Sequence, residues 1–254
     1  MPVILVTNDD GVHSPGLIAL LKAMKEVGDA YVVAPDRERS AASHSLTLHR
    51  PLKPEELRER VWAVNGTPTD CVAIGVEKIL REKPDIIVSG VNKGANLGDD
   101  ITYSGTVAAA MEGTILGIPS IAVSTVLDGR LPIHFETAAR FAAEAARYIL
   151  DKALPYDTLL NINVPNRAGK DIMGMKFTRQ GKRVYSGSIQ ETFSPAGEKH
   201  YWIGGGRPFW EHGEDTDMTA VIEGYISVTP VHLDLTNYEA IEYLKRHWKN
   251  QPEF

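Results

Sequence analysis

Val3-Ile4-Leu5-Val6-Thr7-Asn8-Asp9-Asp10-Gly11 decides the fold. Four consecutive aliphatic residues are too few for a helix and do not alternate. They read as a strand buried on both faces, the habit of parallel sheets. The polar tail that stops the strand then lies beyond its carboxyl end, where open α/β sheets bind ligands. Residues 30–34, 85–89, 120–124 and 159–164 repeat the short apolar pattern. Stretches of helical period run between them. Ser14 caps the first, Pro15 suits its first turn, and Leu17, Leu20, Leu21 and Met24 share one face. Thr67 and Asp70 form an aspartate version of the capping box, ahead of a buried stripe of Val72, Val76, Ile79 and Leu80. A third helix starts at Ser104 and runs through Val107, Met111 and Ile115 to a stop near Gly117. A fourth, alanine-rich, covers residues 135–149. The alternation predicts an α/β fold: a Rossmann-like, doubly wound, mostly parallel sheet.

Regularity fails after about residue 170. Residues 173–178, 201–203 and 225–229 read as strands with no helix between them. Residues 182–217, rich in Gly and polar side chains, carry Tyr185, Phe193, Tyr201, Trp202, Phe209 and Trp210 at no regular period. Such aromatics suit either a β excursion packed on its own chain or a protruding interface hairpin. A closing helix follows Thr236-Asn237-Tyr238-Glu239, with Ile241, Leu244 and Trp248 expected inward. The expectation is one domain over 1–254, with a β-hairpin excursion at about 170–235 and a terminal helix.

Composition narrows the function. Acidic side chains number 33 against 27 basic ones, a formal charge of −6. That balance disfavours a nucleic-acid polymer as partner, because displacing counterions from phosphates needs surplus cations. The single cysteine, Cys71, excludes an intrachain disulfide or a cysteine-rich zinc site and reads as a small buried hydrophobe. The amino terminus lacks a basic signal-peptide region, and no apolar run approaches the roughly 20 residues that span a bilayer. The expected setting is cytoplasmic, away from membranes.

Three segments should gather at one sheet edge: residues 7–11, 35–40 and 90–100. Asp9 and Asp10, adjacent carboxylates, repel unless a cation or protons sit beside them. A plain turn is the alternative, since Asp-Gly is a common turn pair. The Ser40 hydroxyl and the Asn92 amide oxygen would complete an all-oxygen set. Such a set suits Mg²⁺ or Mn²⁺, with Ca²⁺ and Co²⁺ as alternatives, rather than structural zinc. Ser104-Gly105-Thr106 opens a helix whose first N–H groups suit phosphate, the alternative being an ordinary serine cap. Arg37, Arg39 and Lys93 either steer an anion towards this edge or are solvated charge. His13, His44 and His49 fall nearby without metal-ligand spacing. The chain has no Walker loop, no dinucleotide fingerprint and no Gly-x-Ser-x-Gly elbow.

Several ordered blocks together are more specific than any one motif. Asn8-Asp9-Asp10-Gly11, Val33-Ala34-Pro35-Asp36-Arg37 with Arg39-Ser40, Gly66-Thr67-Pro68-Thr69-Asp70-Cys71-Val72, Ser89-Gly90-Val91-Asn92 and Tyr103-Ser104-Gly105-Thr106-Val107 resemble the SurE family of survival-protein nucleotidases. Leu160-Asn161-Ile162-Asn163-Val164-Pro165 and residues 223–230 extend the likeness over most of the chain. The resemblance implies a cytoplasmic, metal-dependent phosphatase acting on nucleoside 5′- and 3′-monophosphates, with short polyphosphate as a further substrate. It implies one divalent ion held by Asp9, Asp10, Ser40 and Asn92. It also implies a homodimer or homotetramer that exchanges the excursion and C-terminal segment. The mechanism expected from residues and resemblance together is attack by an ion-activated water, with Asp9 accepting its proton. Asn96, Ser104, Gly105 and Thr106 would cradle the phosphate. One rival is an aspartyl-phosphate phosphatase, which usually places its two acids two residues apart. The other is a receiver-type signalling module. It needs a lysine after a late strand, where this chain has Ser124-Thr125-Val126.

Overall fold

The computed structural model describes residues 1–184, 189–203, 209–210 and 213–248. Its strands are β1 Val3–Thr7, β2 Asp29–Pro35, β3 Pro54–Arg58, β4 Val61–Val64, β5 Ile86–Lys93, β6 Ser120–Val126 and β7 Thr158–Pro165. They continue as β8 Met175–Phe177, β9 Arg183–Val184, β10 Ile189–Phe193, β11 Lys199–Ile203, β12 Phe209–Trp210 and β13 Ile226–His232. The helices are α1 Pro15–Met24, α2 Pro68–Ile74, α3 Gly105–Ile115, α4 Phe135–Lys152, α5 Asp217–Ile222 and α6 Tyr238–His247. Nine strands form one sheet in the order β3-β4-β2-β1-β5-β6-β7-β13-β8. All pairs from β4 across to β7 are parallel. The β3–β4 and β7–β13 pairs are antiparallel. The chain moves from β1 to β2 on one side and returns to β5 on the other. The switch point therefore lies between β1 and β5.

The unbroken apolar runs follow from two covered faces. Ile4 and Val6 of β1, with Val32 and Ala34 of β2, pack under α1 and α4. Val3, Leu5 and Val33, the intervening positions, pack with Cys71 and Val72 of α2 and Ala109 of α3. Ala138, Ala139, Ala142 and Ala146 give α4 a face of small side chains in the first core, next to α1. Cys71 is buried as expected, and burial pushes its thiol well up.

The helix starts obey their local signals. Ser14 Oγ accepts from Leu17 N–H at 3.3 Å. Thr67 N–H donates to Asp70 Oδ2 at 2.8 Å, and Asp70 N–H returns to Thr67 Oγ1 at 3.1 Å. The second helix widens into a π-helical turn over Gly75–Ile79, so Val72 and Leu80 are buried while Val76 and Ile79 are half-buried. In α3 the buried face is Val107 with Ala108, Ala109 and Ala110; Ile115 is exposed.

Three further elements differ from expectation. The β3–β4 hairpin carries no long apolar run, and β3 is wholly exposed and charged, a composition that protects a sheet edge. A short helix, α5, does interrupt the late strands. The terminal helix is capped by Asn237, which accepts from Ala240 N–H at 2.8 Å, instead of by Thr236. Ile241, Leu244 and Trp248 do not point inward: they are 37%, 46% and 63% exposed, and no residue of α6 is buried. Its amphipathic period marks a face that the described residues do not bury. In the excursion, β10 and β11 form a separate antiparallel pair that exposes Phe193, Tyr201 and Trp202. Tyr185 lies outside the described residues. Among the described residues no helix is long and apolar enough to cross a membrane.

Candidate active site

The loops after β1 and β2 and the end of β5 meet at the switch point. They enclose a cavity of about 430 Å³ lined by Asp9, Asp10, Glu38, Ser40, Asn92, Lys93, Asn96, Asp100, Tyr103 and Ser104, among others. All three predicted segments therefore contribute. A bulge places Asn92. Ser89 pairs with Ala122 but Asn92 with Ser124, so β5 takes three steps to two on β6. The extra residue reverses the alternation. Ile86, Val88 and then Val91 share the α1/α4 core, which leaves Asn92 to the face where α3 begins.

Asp9 is buried and faces that helix. Its Oδ1 accepts from Thr106 Oγ1 at 2.5 Å, and its carbonyl accepts from Arg39 N–H at 2.7 Å. Gly105 makes the approach feasible: a Cβ there would stand 2.9 Å from Asp9 Cβ, 3.0 Å from its Oδ2 and 3.1 Å from Pro68 Cγ. Burial pushes the Asp9 carboxyl up to about 6, opposed by the Thr106 hydrogen bond and reinforced by repulsion from Asp10. Asp10 is also raised, by burial first and by nearby Glu38, while Lys93 N–H, donating to its Oδ2 at 3.0 Å, pulls the other way.

The remaining oxygens are oriented by what their protons do. Ser40 Oγ–H donates to Glu38 Oε1 at 2.6 Å, and Asn92 Nδ2 donates to Gly94 O at 3.0 Å. The Ser40 proton and one Asn92 amide hydrogen are thus committed, leaving the Ser40 oxygen and Asn92 Oδ1 as acceptors. Two adjacent buried carboxylates, whose charged forms burial disfavours and which no cation pairs among the described residues, plus two neutral oxygens, suit a hard divalent ion. Among the described residues no group of three His, Cys, Asp or Glu side chains could hold a metal, so a site here depends on the two neutral oxygens beside the carboxylates.

The phosphate candidates divide. Ser104 accepts from Val107 N–H at 3.1 Å as the α3 cap and keeps its own hydroxyl proton to donate. Gly105 and Thr106 present first-turn N–H groups, while the Thr106 hydroxyl is engaged by Asp9. Asn96 sits on the cavity wall with Nδ2 donating to Ser124 Oγ at 2.8 Å. Arg39 turns to Asp36 at 3.4 Å and Arg37 is also beside Asp36, so neither faces the paired carboxylates. His13 lines a neighbouring cavity of about 530 Å³ with Asp10 and Glu38, and His44 pairs with Glu112 at 2.8 Å.

Sequence reasoning missed the support beneath the site. Asn161 and Asn163 of β7 donate to Asn96 O at 2.9 and 2.8 Å, and Asn163 Oδ1 accepts from Asn96 N–H at 2.9 Å. The available signal was two amides alternating with aliphatics in a strand buried on both faces. Asp217, whose Oδ2 accepts from Gly98 N–H at 2.7 Å, carried no signal beyond its place after the α5 cap.

Comparisons with known proteins identify relatives over nearly the whole chain. Residues 4–187 match the family model of the survival protein SurE. The chain is 55% identical over 242 residues to the 5′-nucleotidase SurE of Geobacter sulfurreducens, covering 95% of this chain and 92% of that protein. It is 52% identical over 244 residues to the 5′-nucleotidase SurE of Syntrophotalea carbinolica, covering 96% of each. The crystal structure of the SurE protein from Aquifex aeolicus superposes with a TM-score of 0.86 at 46% identity, over 96% of this chain and 99% of that one. The chain belongs to the SurE survival-protein family.

Proposed function

We propose that this chain is a divalent-metal-dependent phosphomonoesterase acting on nucleoside 5′-monophosphates, with 3′-monophosphates and short polyphosphate as further substrates. One observation carries the reading. Asp9, Asp10, Ser40 and Asn92 converge in one cavity beside the amino terminus of α3, in a chain 51–55% identical to proteins named 5′-nucleotidase. Those four residues would hold the ion, Mg²⁺ or Mn²⁺ by the hardness of the donors. The ion, when bound, supplies Lewis acidity at the phosphoryl group and makes water more acidic. The protein's share is to bind, orient and move a proton. Ser104 Oγ–H and the first N–H groups of α3 bind the phosphoryl oxygens, and Asn96 closes the wall beside them. Asp9 Oδ2, the oxygen not engaged by Thr106, accepts the proton of the attacking water.

Release of inorganic phosphate from AMP and GMP, with Mg²⁺ or Mn²⁺ and after chelation, tests the proposal. Activity that survives complete chelation would overturn the metal assignment. Incorporation of solvent oxygen at phosphorus in one step is expected, whereas a trapped phosphoenzyme would favour a carboxylate nucleophile. For assembly we propose a cytoplasmic homodimer or homotetramer with exchange of C-terminal segments. The apolar face of α6, unburied by the described residues, and the exposed aromatics of β10 and β11 support it.

A further inference from the structure

Asp217, the first residue of α5, is 0% exposed. Among the described residues its partners are backbone N–H groups, and no cation pairs with it. Oδ2 accepts from Gly98 N–H at 2.7 Å; Oδ1 accepts from Gly181 N–H at 2.9 Å and Met218 N–H at 2.8 Å. A buried carboxylate is expensive unless it satisfies donors that nothing else reaches. Here two of those donors, Gly98 and Gly181, come from distant parts of the chain. Gly98 sits in the loop that carries Asn96, Asp100 and Ser104 along the cavity wall. Gly181 stands at the root of the excursion, and the next two residues reach back to the same loop. Lys182 pairs with Asp99 at 3.3 Å and Arg183 pairs with Asp100. The loop is therefore held from two sides, at Asn96 by the amides of β7 and at Gly98 by Asp217.

We propose that Asp217 is a positioning residue that joins Gly98 to Gly181 through one carboxylate, so that the phosphate-side wall keeps its geometry only while the excursion root is docked. The inference rests on reading that cavity as the phosphomonoesterase site. Asp217→Asn keeps the volume but replaces one acceptor oxygen with a donor, so at least one of the N–H groups loses its partner. In the full-length protein with AMP and Mn²⁺, kcat is expected to fall by about 10²-fold with KM little changed, the signature of a wall displaced by about 1 Å. Amide exchange at Gly98, read on the metal-free protein, is expected to accelerate by about tenfold or more.

Ile149→Ala, deep in α4 and remote from the loop, serves as the control for lost stability: it lowers the melting temperature and leaves kcat and Gly98 exchange alone. Gly181→Ala approaches from the excursion side, since its Cβ would stand 3.0 Å from Asp217 Oδ1. It is expected to reproduce both effects in weaker form, and it carries the test if Asp217→Asn does not fold. The proposal is overturned if Asp217→Asn, or Gly181→Ala in its place, keeps wild-type kcat and wild-type Gly98 exchange. It is equally overturned if Ile149→Ala produces the same kcat loss. Should the wild type release no phosphate with any metal, the functional reading falls, and Gly98 exchange alone decides whether Asp217 holds the loop.

Discussion

Burial and the neighbouring Asp10 both disfavour the charge on Asp9, which makes its protonation measurable in stability. Because the folded carboxyl sits at about 6 and the unfolded one near 3.8, the folded state binds the proton more tightly. The stability this contributes is complete below about 4 and is lost as pH rises through about 6. The metal-free protein should therefore melt lower at pH 7.5 than its Asp9→Asn variant, by an amount on the order of 2–3 kcal/mol, and the gap should close near pH 4. Saturating Mn²⁺ should reverse the order, because a cation between the carboxylates favours their charged form. Parallel melting curves across that range would contradict the assignment. In turnover, Asp9→Asn is expected to lose roughly 10²-fold or more while remaining folded. The second prediction concerns Thr106, whose hydroxyl fixes Asp9 Oδ1 from beneath. Thr106→Val should weaken Mn²⁺ binding about 10–100-fold by calorimetry, and Thr106→Ser should restore most of it. An unchanged affinity in the valine variant would show that this hydrogen bond does not orient the ligand.

Among the elements, those with strong local grammar were legible from sequence alone. The five central strands are buried on both faces because α1 with α4 and α2 with α3 cover opposite sides. Ser14, Thr67 and Ser104 each cap the helix they announce. The capping box predicts a stability effect without a catalytic one. Thr67→Ala should lower unfolding free energy by about 1–2 kcal/mol in urea titration and leave kcat intact. A matching loss of activity would mean that α2 also sets the site. Elements governed by tertiary pairing were not legible. The charged edge strand β3 exists because β4 offers it a ladder, and α5 is too short for its period to register. The site divides the same way. Paired carboxylates at a strand end announce themselves, whereas the bulge that turns Asn92 towards them and the Asn161–Asn163 support depend on neighbouring strands.

Over the whole molecule, the sheet supplies a rigid floor, its switch point supplies the cavity, and the late segments supply both bracing and exposed apolar surface. Ile241 and Leu244 keep the helical period of a buried face yet are exposed among the described residues. Ile241→Asp with Leu244→Asp should shift the protein to a smaller species in light scattering. An unchanged mass would rule out that face as the contact. The central claim, that Asp9, Asp10, Ser40 and Asn92 form an oxygen cage for one divalent ion, is tested most directly by crystals soaked in Mn²⁺. A single anomalous peak bounded by those four side chains is predicted. Well-ordered crystals with no peak there, or with manganese bound only elsewhere, would contradict it.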